Sequence, residues 1–89
     1  MKDLQKEDYP YKDEGAIRRF SKDVTEESLK WHSDKENRDI TIMEGEGWSF
    51  QRDNELPMLL SKGDRLHIPE GQIHRILKGS TDLVIKIEK

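Results

Sequence analysis

From residue 16 onward, short segments carrying apolar side chains alternate with polar turns, and within the segments the apolar positions recur every second residue. The pattern is clearest near the C-terminus, where Leu83, Ile85 and Ile87 fall on one face and Val84, Lys86 and Glu88 on the other. That is the signature of a strand packed on one side against a core. The same reading places strands over 16–20, 28–32, 38–44, 47–51, 57–60, 64–68, 73–78 and 82–88. Polar stretches such as RDNE at 52–55 and KGST at 78–81 supply the turns between them. Helix is poorly supported. Its best candidate is 22–29, where Ser21 or Thr25 could cap a single turn, but Val24 and Leu29 make no continuous stripe. Eight short strands predict an all-β protein, a jelly roll or small barrel.

Composition sharpens this picture in one respect. Charged residues make up 39% of the chain and hydrophobic ones 31%, a balance that would predict disorder if it were spread evenly. It is not: residues 1–15 hold three Lys, five Asp or Glu and almost no aliphatics, whereas 40–87 carries most of the Ile, Leu, Val and Met. Residues 1–15 therefore read as an N-terminal arm and 16–89 as a single folded domain, which at this size buries only about two-thirds of its unfolded surface. Tyr9, Pro10 and Tyr11 in the arm read as a packing anchor for the barrel or for a neighbouring subunit.

A net charge of −3, with basic residues interleaved among acids, gives no footprint for a nucleic-acid backbone. With no cysteine, disulfides and thiolate metal sites are excluded, so any metal must be held by nitrogen and oxygen. No apolar run approaches the roughly 20 residues of a spanning helix, and the N-terminus has no signal-peptide pattern. The expectation is a cytoplasmic protein with neither membrane nor nucleic-acid partner.

The chemistry concentrates in GDRLHIPEGQIH, residues 63–74, with the spacing G-x5-P-x-G-x2-H. A strand turns at Gly63 and stops at Pro69, which lacks a ladder donor. It reverses through Gly71, which tolerates a positive φ, and re-enters a sheet with His74 aimed at one face. This segment resembles the second sequence motif of the cupin family. The family's first motif, H-x-H-x3-E-x6-G, has the spacing of His32, Asp34, Arg38 and Gly45, and the EGEG at 44–47 resembles the turn that follows it. The resemblance covers roughly 29–89 and implies a cupin-like double-stranded β-helix, a jelly-roll barrel of about eight strands. It also implies a homodimer formed between sheets and a small-molecule ligand in the barrel.

The ligand identities depart from that motif. Asp34 stands where a second histidine would be and Arg38 where a glutamate would be, and a guanidinium offers only donors. What remains is His32, Asp34 and His74. Residues 32 and 34 share a face on a strand, and 74 on a facing strand completes a triangle with them. Two imidazoles and one carboxylate form the set used by non-haem Fe(II) oxygenases. The H-x-D…H order is also similar to that of 2-oxoglutarate-dependent dioxygenases. This set would hold a divalent metal, Fe2+ or Zn2+ first and Mn2+ or Ni2+ next, and the resemblance then implies a dioxygenase or isomerase of a small organic acid or sugar. Arg38 shares parity with 32 and 34 and would position a substrate carboxylate.

The other reading is a metal-free pocket in which Arg38 and Asp34 form an internal ion pair and the protein binds or senses a small molecule without catalysis. Arm exchange between subunits is a third possibility. His67 and Arg65 should face outward, opposite Leu66 and Ile68. Glu36 is a reserve carboxylate. Trp31 and Trp48, with Phe50 on the face of Trp48, read as core or interface.

Overall fold

The computed structural model describes residues 10–89. The described residues are all-β, with eight strands: β1 Tyr11–Glu14, β2 Ile17–Phe20, β3 Arg38–Glu44, β4 Ser49–Arg52, β5 Met58–Leu59, β6 Arg65–Ile68, β7 His74–Leu77 and β8 Leu83–Glu88. They form two antiparallel sheets, a five-stranded one in the order β1-β2-β8-β3-β6 and a three-stranded one in the order β5-β4-β7. The sheets face each other across an interior lined from both sides. Phe20, Ile40, Ile42, Leu66, Ile68, Leu83 and Ile85 come from the larger sheet and Phe50 from the smaller, with Leu60 closing from beside β5.

The period-two pattern accounts for these faces. On β6, Leu66 and Ile68 are buried while Arg65 and His67 are exposed. On β8, Leu83, Ile85 and Ile87 line the interior, and Lys86 points out. Val84 is also buried, although it lies outside the main core cluster. β3 spans 38–44 as its alternation predicts, and its pairing with β8 shifts register between Ile42 and Glu44. This irregularity leaves Met43 partly exposed and leads into the turn at 45–47, where Gly45 and Gly47 both have positive φ.

Two expectations need correction. Residues 28–32 do not form a strand. A 3-10 turn at Glu26–Ser28 with Thr25 at its N-cap takes up that backbone, through Ser28 N–H donating to Thr25 O at 3.1 Å and Leu29 N–H to Glu26 O at 3.0 Å. Only His32 makes a β-bridge, to His74. Conversely, 11–14, which the sequence pattern places in the arm, is the edge strand β1, paired to β2 from Tyr11 opposite Phe20 to Glu14 opposite Ile17. Tyr11 packs edge-on against Phe20 with ring centroids 5.5 Å apart, so this part of the anchor docks on its own barrel. Residues 1–9, including Tyr9, lie outside the described residues.

Trp48 is the most deeply buried side chain, and its indole N–H donates to Thr81 O at 2.7 Å. Trp31 departs from the core expectation: it is largely exposed and lies under the Arg75 guanidinium, 4.5 Å from its ring centroid. The turn around Gly79 crosses directly over Trp48. A Cβ at 79 would sit 2.6 Å from the Trp48 backbone nitrogen and against the Glu46 carbonyl as well. Gly79→Ala is therefore expected to destabilise the fold by about 1–3 kcal/mol, the range for overpacking a filled site. A lowered urea midpoint followed by tryptophan fluorescence checks this; a midpoint equal to that of the unaltered protein would contradict the close packing.

Candidate metal and ligand site

The second half of the site is built by the 69–72 turn. β6 ends at Ile68, and Pro69 opens a β-turn closed by Gln72 N–H donating to Pro69 O at 3.1 Å, with Gly71 at φ 80° in the third position. A positive φ there is what a type II turn requires. The turn is tied to the early loop by Gly71 N–H donating to Asp34 O at 2.9 Å and by Glu70 N–H donating to Asn37 Oδ1 at 2.8 Å. Arg52 braces it from β4, donating to Gln72 Oε1 and, at 3.0 Å, to His67 O. β7 then begins at His74. Its N–H and C=O are shared reciprocally with those of His32, at 2.9 and 3.0 Å.

These ties bring His32, Asp34 and His74 together, with one donor atom from each lying within 4.8 Å of the others. The two imidazoles meet edge to face, with centroids 4.4 Å apart. His74 is buried, Asp34 nearly so, and His32 sits exposed at the mouth. The expected triangle thus forms without a regular strand at 28–32; the single β-bridge at His32 suffices. Arg38 lies beside it and faces inward with Ile40 and Ile42, placing Nη1 3.3 Å from Asp34 Oδ1.

The donor atoms are oriented for a cation. His32 Nδ1 lies 2.9 Å from Lys30 O and His74 Nδ1 2.8 Å from Gln72 O. A carbonyl can only accept, so both Nδ1 atoms carry a proton, and each ring in its neutral form presents a lone pair at Nε2. The Nε2 of His74 then faces Asp34 Oδ2 at 3.6 Å, acceptor to acceptor. A proton, a metal or a water donating to both can bridge such a pair, and backbone-anchored Nδ1–H groups are the usual outer support of metal-binding histidines. The residues present therefore fit a divalent cation at three ligands, with Asp34 Oδ1 left for Arg38.

Burial holds the His74 imidazole below its ordinary pKa. The Gln72 carbonyl opposes the shift, His32 adds to it, and Asp34 opposes it while Arg52 adds to it. Elsewhere, the guanidinium of Arg18 holds Asp13 below the usual carboxylate range through bonds of 2.7 and 3.0 Å.

The remaining candidates lie away from the centre. His67 faces outward and pairs with Asp39 at 2.9 Å, and Glu36 pairs with Lys89 at 3.0 Å. Arg18 is a lining residue that sequence reasoning missed. It alternates with the buried Phe20 on β2 and therefore points inward, with its guanidinium 3.7 Å from the centre of the Tyr11 ring. That parity was visible in the sequence. The roles of Asn37, Arg52 and Gln72 were not, because their bonds join loops distant in sequence.

An all-β molecule of two facing sheets, with a cavity between them and a His/Asp cluster at its mouth, defines a small barrel of the double-stranded β-helix kind. Comparison with solved structures gives the class. The chain resembles a cupin domain from Bordetella pertussis Tohama I, with a TM-score of 0.54 and 17% identity, covering 82% of this chain and 78% of that one. It also resembles KdgF from Halomonas sp., with a TM-score of 0.53 and 16% identity, covering 93% and 90%. A third likeness is to a protein from Neisseria meningitidis, with a TM-score of 0.51 and 13% identity, covering 88% and 80%. No protein-family model and no curated protein matches the chain. Likeness at this identity establishes architecture: the chain has a cupin fold. Among the described residues, no helix is long and apolar enough to cross a membrane.

The His74 shift has a pH consequence with a definite sign. Because its folded pKa lies below the ordinary value of about 6.5, the unfolded chain takes up a proton before the native one does. Native stability is therefore full above about pH 6.5 and falls as pH drops through the folded pKa, a window above that of the carboxylates. In EDTA-treated protein, the urea midpoint should fall between pH 7 and pH 5, and His74→Gln should flatten that slope. An equal slope in both proteins would refute the assignment.

Proposed function

We propose that this chain is a small metal-binding cupin in which His32, Asp34 and His74 hold one divalent cation at the mouth of the barrel, beside a cavity that receives a small organic ligand. The observation that carries the reading is the opposed pair of acceptors, His74 Nε2 and Asp34 Oδ2, with His32 offering a third lone pair within reach. Fe2+ and Zn2+ suit two imidazoles and a carboxylate best, and Mn2+ and Ni2+ follow. When bound, such an ion supplies Lewis acidity and open coordination positions to a ligand oxygen, the chemistry that a dioxygenase or isomerase of a small acid would use. The chain's own residues hold the two rings by their Nδ1–H groups, screen His74 from water, and fix Asp34 from the far side through Arg38.

Purified protein equilibrated with Zn2+ or Mn2+ and then dialysed should retain about one ion per chain by elemental analysis. His74→Ala should lose it, because one of three ligands is gone. Retention should also weaken toward pH 5, as protons compete for the imidazoles. Absence of bound metal under replete conditions would remove this reading.

The contact between Arg38 Nη1 and Asp34 Oδ1 favours one alternative, a metal-free binding or sensing pocket in which the carboxylate is neutralised from within. The two differ in the response to Arg38→Met. If the ion pair replaces the metal, the variant leaves Asp34 buried and uncompensated and loses about 3–5 kcal/mol of stability whether or not metal is present. With a metal centre, added Zn2+ should restore much of the loss, as read by the thermal midpoint.

A further inference from the structure

The cavity behind the cluster has a volume of about 440 Å3, within the roughly 300–1,000 Å3 of small-molecule sites. Its polar lining includes the connected group His32, Asp34, His74 and Arg38, with Arg18, Lys30 and Ser28 elsewhere on the wall. The rest is hydrocarbon from both sheets, chiefly Ile40, Ile42, Phe50, Leu66, Ile76 and Ile85.

The two arginines differ in how far they are committed. Arg18 is occupied by its two bonds to Asp13 and its stack on Tyr11. Among the described residues, Arg38 makes a single 3.3 Å contact through Nη1 and its buried Nε has no hydrogen-bond partner, while 21% of the side chain stays exposed. A buried N–H on a charged group is costly to leave unmet and rare in folded proteins. The fork of a guanidinium is matched by the two oxygens of a carboxylate. A polyol offers no such match, and each hydroxyl it placed against the Ile, Leu and Phe walls would lose its water without gaining a partner.

We propose that the cavity binds an apolar monocarboxylic acid, its carboxylate on the exposed part of the Arg38 guanidinium and its hydrocarbon body between Ile40, Ile42, Phe50 and Ile85. This deepens the reading of the barrel as a ligand site by assigning the ligand's chemistry: one anionic end and a body without hydroxyls. A small acid with a linear or aromatic apolar body meets both requirements, and a sugar acid meets only the first.

Isothermal titration of the unaltered protein with hexanoate, acetate, hexanamide and glucuronate tests this, each run on Zn2+-loaded and on EDTA-treated protein. Hexanoate should bind at least tenfold more tightly than the other three: acetate lacks the body, hexanamide the charge, and glucuronate the apolar surface. Arg38→Lys, which keeps the charge and loses the fork, should weaken hexanoate at least tenfold. Glucuronate binding as tightly as hexanoate, no hexanoate binding, or an unchanged affinity in Arg38→Lys would each overturn the proposal. The ligand comparison uses the unaltered protein, so a variant that fails to fold leaves the test standing. The metal reading fails separately: hexanoate bound by a chain that retains no ion supports the pocket and removes the metal, whereas an ion retained without hexanoate binding does the reverse.

Discussion

The reciprocal pair of backbone hydrogen bonds between His32 and His74 is the constraint on which the site depends. It extends the β5-β4-β7 sheet by a single residue of an otherwise irregular loop, and so places an early imidazole against a late one. Two further bonds, from Gly71 to the Asp34 carbonyl and from Glu70 to Asn37, hold the rest of that loop against the 69–72 turn. All four use main-chain groups that must find partners once buried. The cluster is therefore held together largely by main-chain bonds, and its side chains are not what fixes the loop to the turn.

This explains how the grouping of His32, Asp34 and His74 was legible when part of the fold was not. Pro69 and Gly71 mark a strand end and a turn by their own geometry, whereas the strand parity invoked for 32 and 34 does not apply, because that stretch is a loop joined to His74 by one β-bridge. β3 and β8 were equally plain, because each carries its own alternation of Ile and Leu with polar residues. β1 was hidden: YKDE has no apolar alternation, and its pairing is set by β2 and by the contacts of Tyr11 with Phe20 and of Asp13 with Arg18. The stretch 28–32 misled for the opposite reason. Leu29 and Trp31 mimic a strand, yet the 3-10 turn had already claimed the backbone groups that a ladder would need, and Trp31 faces solvent beneath Arg75.

Arg38 stands beside the His32, Asp34 and His74 group, and its geometry is compatible with a cation there. Asp34 divides its carboxylate, Oδ1 toward Arg38 and Oδ2 toward His74, and the two oxygens together have the lone pairs to serve both sides. The guanidinium and a cation held by the imidazoles therefore do not compete for the same atom. If a divalent ion is held there, one carboxylate faces a guanidinium and the ion, and the local balance is positive. Arg38 still has an unmet N–H there, and the field is stronger than it would be in water. On the metal-bound reading, an arginine in place of a neutralising carboxylate would give the site a fixed cation and favour an anionic ligand.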